Sequence, residues 1–386
     1  MLNNLKVYHF HNGSGGGVLS VIKNLLLYKQ HDEIENHIIY TINRDICHDF
    51  TIPHIAGAVS QQVFYYSARW NFYHTCKQLS KLFPEDAVIV AHDWLELGMV
   101  SNLGLENKVI QILHGDFDYY YNLAFLHSDV IDKFICISAT IQKKLLQKLS
   151  NRNNDILFKR FPVQDVPFTF KENDILKCIY YVRDLKDERK QFKKIVEIKN
   201  ALYESNILIK WVIIGGGLNQ KEFEQIWGKS GEVIFKGFLA NEEIIKEFQF
   251  IDIFILPSLA EGFPVALVES MKAGLVPIIN NWDGATSDLV IENMTGFYCQ
   301  KNETDEYLQK ILHLEKNRSI LKSLTVNSSQ KANQLFSPSD NTSLIEAVFL
   351  CDKAIDNKIL KRSYGSRLDQ KWIPNAVTQF IRKFTK

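Results

Sequence analysis

The chain has almost no excess charge: 45 Lys and Arg stand against 44 Asp and Glu, a net of +1 at pH 7 over 386 residues. Such a balance supplies no global field to gather nucleic acid or a membrane surface. The six cysteines, at positions 47, 76, 136, 178, 299 and 351, contain no Cys-x-x-Cys pair and no metal-like spacing. They read as buried or idle thiols of a reducing compartment. No apolar run approaches the length of a membrane span. The opening MLNNLKVYHF enters an expected strand at once and has no secretory-signal pattern. These absences point to a cytoplasmic protein. What is present is an apolar content of 46%, with aromatic residues making up 12% of the chain, in a length that suits two domains of ordinary size.

The most informative stretch is Phe254 to Gly274, FILPSLAEGFPVALVESMKAG. Ile253 to Leu256 reads as a buried parallel strand, ended by Pro257 and Ser258. A loop follows, then a helix with Pro264 near its first turn, where a missing N–H costs little. That helix carries Val265, Ala266, Leu267 and Met271 inward and stops at Gly274. Glu261 in the loop and Glu269 on the helix are eight positions apart and can face one ligand at the helix mouth. The amides of Gly262, Phe263 and Val265 belong to the same place, and free amides at a helix start attract anions such as phosphate. Any strand–loop–helix unit of a doubly wound sheet shares part of this pattern. Packing alone does not call for two acids, a Gly-Phe-Pro turn and a Gly stop together.

The segment PSLAEGFPVALVESMKAGLVPI resembles, nearly position by position, the Glu-x7-Glu motif of retaining nucleotide-sugar glycosyltransferases of GT-B fold, the large family numbered four. The resemblance implies an α/β protein of two doubly wound Rossmann-like domains facing a cleft. It places an acceptor-binding domain over residues 1–165, joined by a C-terminal helix, 370–386, that crosses back. A nucleotide-sugar-binding domain follows over 175–360. The implied reaction moves a sugar from a UDP- or GDP-linked donor to an acceptor hydroxyl with retention, as in cell-surface polysaccharide or glycolipid assembly. Glu261 would bind the sugar hydroxyls as a catalytic residue, and Glu269 the ribose. Gly262, Phe263, Pro264 and Val265 would lie on the donor side.

Other positions enter through the same family pattern. A strand from Lys177 to Val182 is followed by Arg183, which matches the family's diphosphate-binding Arg. The second cation is Arg189 or Lys190, and the Glu-Arg-Lys register favours Arg189. Such cations offset the charge that grows on the leaving diphosphate. Gly237 and Phe238 occupy the segment that lies against the base. In the first domain the strand Leu5 to Phe10 leads into HNGSGGG and a helix bearing Val18, Leu19, Val21, Ile22, Leu25 and Leu26. Gly16 and Gly17 would approach the donor phosphates; a tight turn without a ligand is the alternative, because GSGGG is not GxGxxG.

Two more strand ends carry polar residues: His92-Asp93-Trp94 after Ala87–Ala91, and His114-Gly115-Asp116 after Val109–Leu113. Ligands bind beyond the carboxyl ends of strands in such sheets. The resemblance places His114 beside the transferred sugar, as a catalytic residue. His92, Asp93 and Asp116 are acceptor-side candidates. A strand Lys133–Ile137 precedes a helix capped by Ser138.

The remaining text is less specific. Residues 63–83 crowd aromatics with Arg69, Lys77 and Lys81 into an expected helix, packed on the sheet or facing an interface. Residues 150–175 are polar and turn-rich and read as the interdomain connection; the family's Asn-Gly-Val-Asp run is absent there. The tail from Lys358 holds eight Lys or Arg and one acid, Asp369, and ends in an amphipathic helix. It braces the first domain or touches anionic lipid. No Asp-x-Asp metal motif stands in a suitable place, and the resemblance implies no metal or other cofactor. The expected partners are a nucleotide sugar, a glycan or lipid-linked glycan acceptor and, through the tail, the inner face of an anionic plasma membrane. Nucleic acid is not expected. An epimerase on the same fold stays open through His92, His114 and Asp116, as does a sugar-nucleotide-binding module without turnover.

Overall fold

Short apolar runs rich in Val and Ile alternate with amphipathic helical runs along nearly the whole chain, a pattern that builds parallel sheets covered by helices. The computed structural model describes residues 4–168, 170–228, 232–262, 264–282, 286–300, 303–355, 358 and 365–384. It divides into two units, Met1–Pro162 with Pro338–Lys386, and Val163–Ser337.

In the first unit, strands β1 (Leu5–His11), β2 (Ile34–Asn43), β3 (Ser60–Tyr66), β4 (Val88–Ala91), β5 (Lys108–Leu113), β6 (Lys133–Cys136) and β7 (Ile156–Phe158) form one sheet. Its order is β3-β2-β1-β4-β5-β6-β7, and every pairing is parallel. Helices α1 (Gly17–Leu27), α2 (Phe72–Leu79), α3 (Trp94–Leu103), α4 (Asp118–Leu126) and α5 (Ala139–Lys148) connect the strands. Helix starts are chemically marked. Ser138 Oγ accepts from the Ile141 amide at 3.2 Å, and Asp93 with Glu96 forms a capping box on α3.

The second unit has strands β8 (Lys177–Asp184), β9 (Lys210–Gly216), β10 (Glu232–Gly237), β11 (Ile253–Leu256), β12 (Val276–Asn280) and β13 (Phe297–Cys299). Their order is β10-β9-β8-β11-β12-β13, again all parallel. Helices α6 (Phe192–Glu204), α7 (Gln220–Trp227), α8 (Asn241–Phe248), α9 (Val265–Lys272), α10 (Thr304–Lys316) and α11 (Arg318–Leu335) complete it. An aromatic stack runs through its core: Tyr180 on Phe192, Phe192 on Phe223, and Phe223 on Phe235, with ring centroids 5.9, 5.9 and 4.2 Å apart. Helices α12 (Pro338–Leu350) and α13 (Asn375–Phe384) belong to the first unit.

The order of each sheet reverses beside the unit's first strand, between β1 and β4 and between β8 and β11. Crevices at such switch points are where doubly wound sheets hold ligands.

Three expectations change. Residues 63–83 are not one helix: Val63 to Tyr66 finish the edge strand β3, and α2 begins only at Phe72. Consecutive aromatics suit a pleated strand better than a helix. A strand, β7, stands inside the polar stretch read as a connection, paired with β6. The second domain ends at Ser337 rather than near residue 360, because α12 is fastened to the first unit. The amides of Gln30 and His31 donate to Glu346 Oε2 at 2.9 and 3.1 Å. Lys108 Nζ donates to the Val348 and Phe349 carbonyls at 2.9 and 2.8 Å, placing a cation at the negative end of that helix.

Candidate functional site

In the second unit the candidate residues gather at the β8/β11 switch point. β8 ends in Arg183 and Asp184, and a short turn, Glu188–Lys190, follows. β11 ends in Leu256 and releases the loop that holds Glu261. The two loops meet: Lys190 Nζ lies 2.6 Å from Glu261 Oε1, and the Leu259 amide donates to the Arg189 carbonyl at 2.8 Å. Tyr180, buried under the turn, donates its hydroxyl to the Lys190 carbonyl at 2.8 Å. Lys190, rather than the favoured Arg189, therefore faces the acidic loop. The turn explains the choice. Asp187 caps it and takes the Arg189 side chain at 3.1 and 2.8 Å, which leaves Arg189 lying on the surface. Those bonds hold the Asp187 carboxyl below its ordinary range.

The Glu261 loop is braced from behind by residues that sequence reasoning missed. Asn280 Nδ2 donates to the Pro257 and Ser258 carbonyls at 2.8 and 2.9 Å, and Trp282 Nε1 donates to Ser258 at 2.7 Å. The Tyr307 hydroxyl donates to Asn280 Oδ1 at 2.8 Å. All three braces are buried. Their only signal was that a strand-ending Pro-Ser leaves carbonyls that need donors.

Pro264 caps α9 with φ −78° and accepts from the Leu267 amide at 3.0 Å, so Val265 is the first helical residue. Gly262 precedes it in the loop, and Phe263 lies outside the described residues. Glu269 is buried one helical turn further on. Its Oε1 accepts from Gln164 Nε2 at 3.2 Å and Asn241 Nδ2 at 3.0 Å. Burial raises its pKa above the ordinary carboxyl value, against the pull of those two donors. Gly237 ends β10 at φ +63°, and Phe238 beside it is 72% exposed. The glycines at the end of β9 are required by a close approach. A Cβ on Gly215 would sit 2.8 Å from the Val182 carbonyl, and one on Gly217 would collide with the Asp184 carboxylate. Close packing against β8 accounts for this run.

In the first unit the β1/β4 switch point holds a chain of imidazoles. His9 Nε2 meets Asn36 Oδ1 at 3.2 Å, His9 Nδ1 meets His92 Nε2 at 3.4 Å, and His92 Nδ1 meets His114 Nε2 at 2.7 Å. Burial depresses all three imidazoles, His9 to about 4, His114 to about 3 and His92 well below its ordinary value. They are neutral near pH 7. His9 and Asn36 carried no recognisable motif and were not anticipated.

Asp93 Oδ1 accepts from the Trp94 amide at 2.9 Å and from the Tyr119 hydroxyl, while Oδ2 accepts from Asn12 at 3.0 Å. Asp116 is engaged by Lys144 at 2.6 Å and the Tyr121 hydroxyl at 2.7 Å. Gly16 caps α1 at φ +113°, a conformation that favours glycine, and Gly17 opens the helix. Among the described residues no group of three or more His, Cys, Asp or Glu is arranged to hold a metal ion.

Residues 162–332, nearly the whole second unit, match the model of the family described as glycosyl transferases group 1. Among curated relatives, alpha-monoglucosyldiacylglycerol synthase of Acholeplasma laidlawii is 26% identical over 193 residues, covering 48% of this chain and 47% of that protein. A Campylobacter jejuni protein, N,N'-diacetylbacillosaminyl-diphospho-undecaprenol alpha-1,3-N-acetylgalactosaminyltransferase, is 27% identical over 137 residues, 34% of this chain and 36% of its own. The chain thus spans about half or less of these two relatives. The crystal structure of Anabaena HepE with UDP-glucose superposes with a TM-score of 0.70 at 16% identity, over 89% of this chain and 99% of that one. TarM superposes with a TM-score of 0.60 at 14% identity, over 72% and 58%. Both units have the Rossmann-like parallel sheets of the GT-B fold.

Proposed function

We propose that the protein is a retaining glycosyltransferase that moves a sugar from a UDP- or GDP-linked donor to a glycan or lipid-linked acceptor. The observation that carries this reading is the Lys190–Glu261 pair at the β8/β11 switch point, inside the segment that matches the glycosyl transferases group 1 model. Arg183 and Lys190 supply positive charge for the diphosphate, and the start of α9 adds its amides. Glu261 lies where a carboxylate can hold sugar hydroxyls and stabilise positive charge at the anomeric carbon. Glu269 serves the ribose. No side chain is assigned as a nucleophile; the acceptor attacks the face that the diphosphate leaves. Protein cations do the work of a metal in this reading, so transfer should survive EDTA. The relatives' names, which include a glycolipid synthase and an undecaprenol-linked transferase, support an acceptor at a membrane surface. Among the described residues no helix is long and apolar enough to cross a membrane, so contact would be peripheral.

Calorimetry with UDP and GDP, followed by a transfer assay with the corresponding labelled nucleotide sugars, tests the reading. One nucleotide should bind, and its sugar should move to a lipid-linked or glycan acceptor with the anomeric configuration kept. A chain that binds neither nucleotide, or whose activity EDTA abolishes and Mg²⁺ restores, sinks it.

A further inference from the structure

The imidazole chain at the β1/β4 switch point has a direction. A neutral imidazole carries one N–H, so each ring can donate on one side only. The amide oxygen of Asn36 cannot donate. With the Asn36 amide turned so that its oxygen faces His9, His9 donates from Nε2 to Oδ1, 3.2 Å away, and its Nδ1 is bare. A bare His9 Nδ1 accepts, so His92 donates from Nε2 across 3.4 Å. His92 Nδ1 is then bare in turn and accepts from His114 Nε2–H at 2.7 Å. The last ring is left with a bare Nδ1. Among the described residues nothing bonds that atom, and it is not among the fully buried polar atoms without a partner. His114 is only half-buried, while Asn36, His9 and His92 are almost inaccessible.

We infer that Asn36, His9 and His92 are positioning residues that hold His114 in the Nε2–H tautomer, so that its Nδ1 meets the substrate as a hydrogen-bond acceptor. The link to substrate rests on the glycosyltransferase reading above; the tautomer does not. The consequence is a preference of chemical class. A bare imidazole nitrogen accepts from a hydroxyl, such as that of a sugar, and repels an anionic oxygen. Burial works with this arrangement, because a charged ring anywhere in the chain would carry two N–H groups and break its direction.

The test is nitrogen-15 NMR of histidine-labelled, ligand-free full-length protein, with His114→Gln used to assign the His114 signals. Wild type should show protonated Nε2 and bare Nδ1 on His9, His92 and His114. A wild-type His114 protonated on Nδ1 overturns the inference. Asn36→Asp supplies the sharper contrast. An aspartate there should hold His9 as an imidazolium, which donates from both nitrogens. His92 must then accept on Nε2 and donate from Nδ1, and His114 must accept on Nε2, so its proton moves to Nδ1. A merely structural Asn36 would produce no such reversal, and an unreversed His114 beside a charged His9 counts against the chain. These spectra need no turnover. Nucleotide calorimetry reports on the donor reading separately, so the two can fail independently.

Discussion

Lys190 and Glu261 stand 2.6 Å apart, joining the loop after β8 to the loop after β11 across the switch point of the second sheet. Both side chains are largely shielded, and neither loop reaches the other by sequence proximity. Arg189, one residue away, is spent on Asp187 at the surface. The two adjacent cations should therefore behave differently. Lys190→Gln should weaken nucleoside diphosphate binding by about 1.5–3 kcal/mol, the usual loss for a charge-assisted contact. Arg189→Gln should cost less than about 1 kcal/mol, as an exposed pair does. Calorimetry with the preferred nucleotide measures both, and equal losses would show that the turn does not sort the two cations.

That sorting was not legible in the sequence, where the Glu-Arg-Lys register favoured Arg189. The deciding feature is the Asp187 cap, which turns the arginine outward, and only backbone geometry reveals it. Much else was legible. The β11–loop–α9 unit announces itself through a short apolar run, a Pro-Ser break and a glycine stop. Strand β7 and the split of residues 63–83 were not, because a three-residue strand has too short a pattern and aromatic runs serve both periods. The imidazole chain was half legible. His92 and His114 follow strand ends, but His9 and Asn36 lie within strands, and their meeting depends on β1 standing between β2 and β4.

Glu96 gives a pH signature. It is fully buried in the first unit, its Oε1 accepts from the His92 and Asp93 amides at 2.8 and 2.6 Å, and its Oε2 has no partner among the described residues. Burial, then the neighbouring Asp93 charge, pushes its pKa up to about 7 from 4.5. Between those values the folded chain holds a proton that the unfolded chain has released. Stability owed to Glu96 is therefore full below pH 4.5 and is lost as pH rises to about 7. The buried histidines act oppositely, losing stability as pH falls below about 6.5, but they are common to both proteins compared. Relative to Glu96→Gln, wild type should lose on the order of 2 kcal/mol over that rise. Urea melts at both ends of the range measure it; a constant difference would mean that folding does not raise the Glu96 pKa.

Helix α13 wears its apolar side outward. Thr378 and Arg382 face the first unit, with the Arg382 guanidinium bonded to the Trp70 carbonyl at 2.5 Å and Asp369 at 2.6 Å. Val377, Phe380 and Phe384, spaced three and four apart, are exposed, and Lys383 flanks them. Aromatics bordered by a cation suit the headgroup region of an anionic bilayer. Phe380→Ser with Phe384→Ser should reduce binding to phosphatidylglycerol vesicles several-fold, and salt should weaken what remains. Because both rings are exposed, stability should change by no more than about 0.5 kcal/mol. Point variants keep the Arg382 anchor in place. Undiminished vesicle binding by the folded double variant would exclude this face.

Glu261 and Glu269 should fail in different ways. Glu269 is buried beneath Gln164 and Asn241, and the ribose assigned to it takes no part in the chemistry. A contact of equal strength in ground and transition states contributes to binding alone, so Glu269→Gln should mainly raise the donor KM. Glu261 is set against Lys190 and, in the proposed reaction, beside an anomeric carbon that gains positive charge. Its charge acts chiefly in the transition state, so Glu261→Gln should lower kcat, by about 100- to 1,000-fold if the loss resembles that of other preorganised electrostatic groups. Removing that charge also frees Lys190, so nucleoside diphosphate binding should hold steady or tighten while turnover falls. The competing account is that both acids only brace the loop and helix, in which case both variants lose activity in step with melting temperature. Steady-state kinetics, product calorimetry and thermal melts on the same preparations separate the two. Equal kcat losses, or weaker nucleotide binding by Glu261→Gln, would show that the division of roles is wrong.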